Sequence, residues 1–368
     1  MKITFDRELL ISKLKLAAAF IPKKAVIPAY TLVIFEAEGN IVRLTAQNGE
    51  MQIINKCSAL KSSGNGKFTV PGNVLLKTIS LMKEPDVTIS FKNDKCNIVS
   101  GKSKYVLSAT DGEDHIRMPR VKAEYDASFV GSVVNTSLET SLKYASKDSP
   151  NVAFQGVCLR EADGNKIGFF SSNMHSVSKI IAAPRSITKW ADIIIPEDVC
   201  KAIVKCVNDI DIVDIVHNKK NIEITSGEIV IIASVLDVNF PNVDTFFAKK
   251  PDRTVTVNTL EFLQALQRLA LVANEDTPEV TIGIGAGGIN MNSVDENFGN
   301  KGDEEVGGVS EHETEMKFSL PLLTNIVDSF SNDSFVMSFG ENRTAPAFFD
   351  PVDNVHGNNK FFLIAPLK

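Results

Sequence analysis

Apolar residues recur at helical spacing in three stretches that lie far apart in the chain. The stretches are residues 7–19, 137–146 and 260–273, and the last shows the spacing clearly at Leu263 and Leu266. Apolar positions three and four residues apart predict amphipathic helices. Runs such as VTISF and IEITSGEIVIIASV alternate instead with a period of two, which predicts strands. The pattern therefore predicts helices set among antiparallel strands.

A second set of helices is marked by a hydrophobic–proline signature. It occurs in VPGNVLLKTI, IPEDVCKAIV and LPLLTNIV, where Pro71, Pro196 and Pro321 are spaced 125 residues apart. Proline is favoured in the first helical turn, where its missing N–H has no intrahelical partner. Glycine-containing turns typical of hairpins recur in the same order, at residues 38–40, 163–165 and 287–288. Markers that recur in step indicate an internal repeat.

The repeat predicts an α+β fold built of three modules. Each module has the order helix, strands, helix, strands, with the helices packed on one face of antiparallel sheet. We place the modules at residues 1–126, 127–250 and 251–368. The segment 297–314 is rich in Gly, Asp and Glu and poor in apolar residues, so we predict a mobile surface loop there.

Composition narrows the class of protein. The 368 residues are 43% hydrophobic and 23% charged, as in soluble globular proteins. No apolar run is long enough to span a membrane, and the start MKITFDRELLISKLK does not resemble a signal peptide, so we expect a cytoplasmic protein. The five cysteines are scattered without a CxxC pair, which predicts reduced, buried thiols and neither disulfides nor a zinc site.

The net charge of −6 argues against nucleic-acid binding unless the charge is unevenly distributed. Six inferred helical segments (6–24, 72–83, 135–147, 196–206, 257–273 and 321–330) hold twelve basic and seven acidic residues. Their net charge of +5 leaves −11 on the rest of the chain. The first module contributes most of this positive charge and the third is about neutral. A basic helical surface on an acidic protein would remove the objection to nucleic-acid binding, although lysines on merely solvated helix faces would give the same count.

The ordered set of stretches resembles one family across the whole chain. The stretches are TVPGNVLLKTI, GKSKYVLSATDGEDHIRMP, FQGVCLREADGNKIGFFSSNMHSVS, IVIIASVLDVNFPNVDTFF, RTVTVNTLEFLQALQRLALVANE and FFLIAPLK. They resemble the bacterial DNA polymerase III beta subunit, the beta sliding clamp family. The resemblance implies a ring-shaped, head-to-tail homodimer of six modules, with helices lining the hole and sheets outside. It also implies a non-catalytic protein that encircles duplex DNA.

The resemblance implies a hydrophobic pocket for partner peptides between the second and third modules. The matching positions are Ser172, Met174, His175, Ser176, Val177, Pro241, Thr245, Phe246, Ser319, Leu322, Thr344, Pro346, Leu363, Ile364, Ala365, Pro366 and Leu367. The family commonly has glycine, histidine and arginine at 174–176 and often arginine at 245. Because this chain has Met174, Ser176 and Thr245 there, the motif that its partners carry is expected to differ.

The resemblance also implies a DNA-contacting surface and a subunit contact. We expect sequence-independent, salt-sensitive contacts to phosphates. The expected DNA-binding residues are Lys24, Lys23, Arg7, Lys13, Lys15, Lys77, Lys143, Lys147, Lys201 and Lys205. In the subunit contact, Tyr105 and Leu107 on an edge strand of one copy would face Leu271 and Val272 of the other.

The implied partners are duplex DNA, the catalytic subunit of the replicative polymerase, other proteins with a clamp-binding motif, and a second copy of the chain. An ATP-driven clamp loader is expected to open the ring, because this chain carries no P-loop. We expect no metal, cofactor or membrane partner.

Two other functions remain open on the residues alone. One is a three-repeat, β-rich scaffold or adaptor that does not encircle DNA. The other is an enzyme whose site is assembled from dispersed residues, although the sequence has no HExxH or GxSxG motif. GIGAGG at 283–288 lacks the spacing of a phosphate loop and is interpreted as a hairpin turn. The acidic residues Asp111, Glu113 and Asp114 are interpreted as a polar loop rather than a metal cluster.

Overall fold

A computed structural model describes residues 1–112, 116–352 and 358–367. Glu113 and Asp114 of the acidic stretch lie outside the described residues. The chain forms two compact units. Unit 1 comprises residues 1–135, 185–190 and 201–235, and unit 2 comprises residues 136–184, 191–200 and 236–368.

Two of the helices begin at a residue whose side chain caps the helix. The described residues form α1 (Arg7–Ala18), α2 (Gly72–Ser80), α3 (Gly131–Leu142), α4 (Glu197–Cys206), α5 (Asp244–Phe247), α6 (Thr259–Leu269) and α7 (Leu320–Val327). The Asp6 carboxylate accepts from the Leu9 amide at 2.8 Å and starts α1. The Asn258 side chain accepts from the Glu261 amide at 2.9 Å and starts α6.

Several predicted helix positions need correction. Helix α3 was expected at 137–146 but begins six residues earlier, at Gly131, and ends at Leu142. Helix α6 ends at Leu269, four residues before the expected end. Pro321 lies in the first turn of its helix, whereas Pro71 and Pro196 come just before theirs. Ser and Thr in α3 blur its apolar period, which explains the shifted expectation.

Unit 1 contains two antiparallel sheets. The five-stranded sheet has the order β5-β1-β7-β8-β9, and the nine-stranded sheet has the order β14-β10-β16-β17-β18-β4-β3-β2-β6. The first is made of β1 (Lys2–Asp6), β5 (Lys61–Ser63), β7 (Asp86–Lys92), β8 (Lys95–Ser100) and β9 (Ser103–Ser108). The second is made of β2 (Leu32–Glu38), β3 (Ile41–Gln47), β4 (Met51–Ser58), β6 (Gly66–Pro71), β10 (Tyr125–Val130), β14 (Ser186–Lys189), β16 (Ile212–His217), β17 (Asn221–Ser226) and β18 (Ile229–Ser234).

Unit 2 also contains two antiparallel sheets. The eight-stranded sheet has the order β15-β11-β12-β13-β26-β25-β24-β19, and the four-stranded sheet has the order β22-β21-β20-β23. The first is made of β11 (Gly156–Ala162), β12 (Lys166–Ser172), β13 (Ser176–Ala182), β15 (Ile193–Pro196), β19 (Arg253–Asn258), β24 (Ser334–Phe339), β25 (Ala347–Pro351) and β26 (Asn358–Ile364). The second is made of β20 (Glu279–Gly285), β21 (Gly288–Asp295), β22 (Asn300–Val306) and β23 (Thr314–Ser319).

The prediction of a mobile loop at 297–314 was wrong. Residues 300–306 form β22, which pairs antiparallel with β21 and is the edge strand of its sheet. Arg268 of α6 holds the Glu304 carboxylate through two hydrogen bonds of 2.7 and 2.6 Å. A short hairpin and this bidentate pair supply the order that the polar composition does not suggest.

The order of elements repeats three times along the chain. A strand leads directly into a helix at β1–α1, β10–α3 and β19–α6, and again at β6–α2, β15–α4 and β23–α7. The residue boundaries of the three modules remain a prediction. All five cysteines are buried. Among the described residues, no helix combines the length and the apolar character that a membrane span requires.

Candidate functional site

The C-terminal tail pairs with the strand that follows the β12–β13 turn. Ser176 lies opposite Ile364 and Val177 lies opposite Leu363 in the β13–β26 ladder. Just beyond the ladder, the Ala365 amide donates to the His175 carbonyl at 2.8 Å. Backbone pairing thus brings residues that are far apart in sequence to one end of the eight-stranded sheet.

The β12–β13 turn is held by its own polar groups. The Asn173 side-chain oxygen accepts from the amides of His175 and Ser176, at 3.1 and 2.8 Å. The Ser172 hydroxyl accepts from the Met174 amide at 3.1 Å. Met174 has a φ of +75°, and its side chain is 62% exposed. The turn therefore presents Met174 and the exposed His175 to solvent on a fixed backbone.

Below the turn lies an apolar cluster. Val177 and Leu363 are each only 7% exposed and belong to a cluster with Val243 and Phe348. Phe246 is 53% exposed instead, so it contributes a surface side chain rather than a core one. Sequence reasoning missed further aromatic members of this cluster, although all but Phe154 lie within two residues of a predicted position. They are Phe154, Phe170, Phe240, Phe247 and Phe348.

The remaining predicted residues border the same end of the sheet. The Leu367 amide donates to the Lys317 carbonyl at 2.7 Å, which fixes the tail along β23. Leu322 on α7 is half-buried against a core that includes Ile364. Pro346 directly precedes Ala347, which lies opposite Ile364 in the β25–β26 ladder. Ser319 ends β23, Pro366 lies between Ala365 and Leu367 in the tail, and the exposed Pro241 precedes α5.

Hydroxyl groups in this region are bonded internally. Ser176, which is fully buried, donates its hydroxyl to the Asn173 side chain at 2.9 Å. Thr245 donates its hydroxyl to the Asn242 carbonyl at 3.0 Å. Thr344 donates to a side-chain oxygen of its own turn at 2.8 Å. Ser176 and Thr245 stand where the beta sliding clamp family, which the sequence resembles, commonly or often has arginine. Their side chains are uncharged and bonded within the chain, so they offer a peptide no cation.

A charge network that the sequence did not reveal packs beside this cluster. Lys179 on β13 bonds the Asp244 carboxylate of α5, and its ammonium lies 5.8 Å from the centroid of the Phe170 ring. Arg160 bonds Asp192 at 2.6 Å and lies 5.5 Å from the same ring. Burial opposes the charged form of Arg160, but its partners outweigh that effect and raise the pKa of the guanidinium. The network anchors α5 against β11 and β13.

Nine of the ten predicted DNA-binding residues fall into two groups. Four of them have acidic partners: Arg7 with Glu8, Lys13 with Glu228 at 2.8 Å, Lys143 with Asp328 at 2.7 Å, and Lys147 with Asp198. Lys201 is exposed on α4. Five are exposed and form no ion pair with any described carboxylate, namely Lys15, Lys23, Lys24, Lys77 and Lys205. The second group is better suited to phosphate contacts, because ion pairing reduces the net charge that a phosphate meets.

The predicted subunit-contact residues lie at exposed positions. Tyr105 is 50% exposed and Leu107 half-buried on β9, which is an edge strand of the five-stranded sheet. In unit 2, Leu271 is 84% exposed just after α6, and Val272 is half-buried next to it. The structure thus confirms the edge position of Tyr105 and Leu107, while their role in a contact remains a prediction.

Two family models match the two ends of the chain. Residues 1–119 match the DNA polymerase III beta subunit, N-terminal domain, and residues 244–359 match the C-terminal domain of the same subunit. The beta sliding clamp of Vibrio cholerae serotype O1 is 20% identical over 374 residues, covering 100% of each chain. That of Pseudomonas putida is 22% identical over 291 residues, covering 78% of this chain and 79% of the relative.

Solved structures share the fold over the full length. The DNA polymerase III subunit beta from Pseudomonas aeruginosa superposes with a TM-score of 0.92 at 17% identity, covering 100% of both chains. The DNA polymerase sliding clamp from Bacillus subtilis gives a TM-score of 0.91 at 17% identity, covering 100% of this chain and 99% of the other. The likeness confirms the three-repeat α+β fold.

Proposed function

The chain belongs to the DNA polymerase III beta subunit family, the beta sliding clamps, and from this premise we propose how its residues perform the clamp function. It is a non-catalytic DNA sliding clamp. We propose that two copies form a ring around duplex DNA and that the ring tethers the catalytic subunit of the replicative polymerase. Tethering raises the effective concentration of the polymerase at the primer end, so processivity needs no chemistry from the clamp.

The convergence of three segments in unit 2 supports a partner site. The β12–β13 turn, α5 and the tail from Leu363 to Leu367 meet at one end of the eight-stranded sheet. Exposed Met174 and Phe246 next to a phenylalanine-rich cluster suit the anchoring of large apolar side chains from a short peptide. Because the hydroxyls are bonded internally, we expect recognition to depend on apolar contact and on His175.

For the DNA contact, we propose the exposed lysines without a described carboxylate partner. Lys23 and Lys24 follow α1, and Lys77 lies in the last turn of α2. Lysine contacts to phosphate are sequence-independent and weaken with salt because counterions are released on binding. Such contacts would let the ring slide rather than stop at particular sequences.

For the subunit contact, we propose that β9 of one copy meets the region of α6 and β22 in the other. Both β9 and β22 are edge strands with unpaired backbone groups. Lys102 precedes β9 and Lys104 lies on it, whereas β22 holds Asp303 and Glu305 and one lysine, Lys301, which pairs with Asp303 at 2.9 Å. The two edges therefore carry opposite net charge. We propose that a separate ATP-driven loader opens this contact.

We also propose a cytoplasmic location, which the five buried free thiols support.

The partner site is tested by shortening the tail. Ile364 is fully buried and paired on both sides, so a truncation should begin after it. We expect deletion of residues 365–368 to reduce polymerase binding at least tenfold in surface plasmon resonance, because the tail contacts at His175 and Lys317 are lost. Phe246→Ala should weaken binding in the same direction by removing an exposed anchor.

Phe298 provides a matched control. It is 82% exposed at the β21–β22 turn, so Phe298→Ala should leave polymerase binding unchanged. All variants should keep the dimer mass in sedimentation. Full polymerase binding by the truncated chain would place the partner site elsewhere. A ring should stay on circular DNA in high salt and leave when the DNA is cut. Protein that is lost from circular DNA in high salt, or that stays bound after linearisation, would favour the scaffold function over the clamp.

A further inference from the structure

The outward face of the five-stranded sheet in unit 1 is basic. Strand register identifies this face, because Ser63, Lys2, Ser90, Asn97 and Val106 form one row across all five strands. A second row contains Lys61, Thr4, Thr88, Val99 and Lys104, and a third contains Lys92, Lys95 and Ser108. The alternate residues, such as Ile3, Phe5 and Ile89, are buried on the other face.

Five lysines on this face lack acidic partners. They are Lys2, Lys61, Lys92, Lys95 and Lys104; all are exposed, and none forms an ion pair with a described carboxylate of its own chain. Lys104 lies on the strand of the proposed subunit contact, so the other four carry the surface proposed below. Every residue of the five strands is described, and their outward carboxylates are Asp6 and Asp86, which pair at one end of the sheet. Asp6 is occupied as the N-cap of α1. The three rows above therefore present only lysine, hydroxyl, amide and valine side chains.

Two lysines occupy positions that are unfavourable for the stability of the sheet. Lys92 and Lys95 lie directly opposite each other at the β7–β8 hairpin. Like charges at opposed positions destabilise a sheet. The intervening Asp94 belongs to the turn itself, where its φ is +54°. A negatively charged ligand would remove the repulsion between the two ammonium groups.

The spacing suits a phosphate backbone. Lys61, Lys2 and Lys92 lie on a diagonal with Cα steps of about 8 Å, because each step crosses one strand and advances two residues. From Lys61 to Lys95 the line spans roughly 20 Å. Duplex DNA carries one negative charge per about 1.7 Å of axis, so a duplex along this line would place several phosphates within reach. Lysine, serine, threonine and asparagine are among the usual phosphate-contacting side chains.

The types of side chain on this face indicate which class of anionic ligand it suits. Outward positions in the three rows hold no aromatic side chain, so unpaired bases would find no stacking platform. They hold no arginine, whereas acidic and phosphorylated peptides are usually recognised by arginine clusters. We propose that this face of the five-stranded sheet is a second DNA-binding surface, which contacts the phosphates of a duplex. The proposal does not depend on ring closure.

The proposal is tested first by removing charge. The variant with Lys2→Gln, Lys92→Gln and Lys95→Gln is compared with native protein for binding of a labelled 20-base-pair linear duplex by fluorescence anisotropy. We expect about tenfold weaker binding at 50 mM salt and a salt slope lower by about 2.7, since each of the three lost phosphate contacts lowers it by about 0.9. The control variant with Lys122→Gln, Lys166→Gln and Lys220→Gln removes the same charge from positions outside this sheet and outside the proposed contacts, and should match native protein. Equal binding and slope for both variants would overturn the proposal.

Cross-linking then locates the duplex. All five native cysteines are buried, and burial raises the pKa of Cys57 to about 11, so mild maleimide labelling favours an engineered surface thiol. Ser90→Cys places a photo-cross-linker at the centre of the basic face, and Thr281→Cys places one on the four-stranded sheet of unit 2. We expect the duplex to cross-link at position 90 and not at 281. No cross-link at 90, or displacement of the duplex there by an equal charge concentration of polyglutamate, would overturn the assignment to DNA. Loss of retention on circular DNA with the cross-link preserved would contradict the ring and leave this surface in place.

Discussion

The five-stranded sheet of unit 1 and the four-stranded sheet of unit 2 are built alike but charged oppositely. Each ends in a free edge strand, β9 in the first and β22 in the second. The first presents five unpaired lysines on its outward face. The second has Asp303 and Glu305 on its edge strand, next to Asn292 and Asn290 in register. A net charge of −6 therefore conceals two surfaces that would attract different ligands, and each other.

The two units also differ in a buried titratable side chain and in a strained backbone turn. Unit 1 buries His217 against Tyr125 and the single tryptophan, Trp190. Unit 2 holds Met174 at a left-handed φ in the turn that borders the partner site. Unit 1 should therefore respond to acid through His217, and unit 2 should gain stability from a glycine at position 174, although Lys219 of unit 1 also has a positive φ, of +67°.

The largest effect is expected from the edges. Tyr105→Glu combined with Leu271→Glu should give a monomer, because both exposed apolar side chains would become charged in a contact between copies. Losing two such burials removes about 4 kcal/mol, so the dimer dissociation constant should rise at least about 100-fold. Analytical ultracentrifugation over a concentration series measures it.

A matched leucine separates the interface from general surface damage. Leu81 is 85% exposed and Leu271 is 84% exposed, yet only Leu271 lies next to an edge strand in the proposed contact. Leu81→Glu should leave the dimer intact, whereas Leu271→Glu alone should weaken it. If the two single variants dimerise equally well, Leu271 does not lie in the subunit contact, and the opposite charges of the two edges have another cause.

The sequence predicted those elements whose signals are local. The proline-marked helices α2, α4 and α7 were found because proline and an apolar period occur within ten residues. Strand β22 was missed because its inward face, which packs against α6, carries Gly302 and Glu304 rather than apolar residues, and Arg268 of α6 secures it. Composition alone could not distinguish such a strand from a loop.

The candidate site was located by resemblance, but its burial was not predictable. Val177 is buried because β26, from the far end of the chain, pairs with β13, whereas Phe246 is exposed because α5 is a single turn. Likewise, Lys13 and Lys143 gained carboxylate partners from distant segments, Glu228 and Asp328. Such pairings depend on tertiary contacts, which residue spacing does not encode.

The second prediction concerns acid and unit 1. Burial, with a smaller effect of the Lys219 charge, lowers the pKa of His217 from 6.5 to about 4. Its Nε2 atom has no hydrogen-bond partner among the described residues, so protonation gains nothing in the fold. Because the pKa of His217 is lower in the folded than in the unfolded protein, folding opposes its protonation. The free energy of unfolding is therefore unaffected above pH 6.5 and decreases as the pH falls below that value. We expect a loss of about 2 kcal/mol by pH 5 and about 3 kcal/mol by pH 4.

Urea unfolding followed by Trp190 fluorescence measures this loss, since the indole ring lies 4.6 Å from the His217 ring. His217→Phe keeps an aromatic ring beside Tyr125 but cannot titrate, so its stability should change much less between pH 6.5 and 5. Most carboxylates titrate below this window. Parallel loss of stability in native protein and variant would assign the acid sensitivity to other groups.

The smallest effect is expected at Met174 in unit 2. A left-handed φ costs an L residue about 1–2 kcal/mol, while glycine adds about 0.5–1 kcal/mol of unfolded-state entropy. Met174→Gly should therefore stabilise the protein by about 0.5 kcal/mol in urea unfolding, and Met174→Ala, which keeps the strain, should not. Met174→Gly should also weaken polymerase binding, because the exposed side chain borders the partner site. A glycine variant that is more stable and binds equally well would show that this strain serves no recognition role.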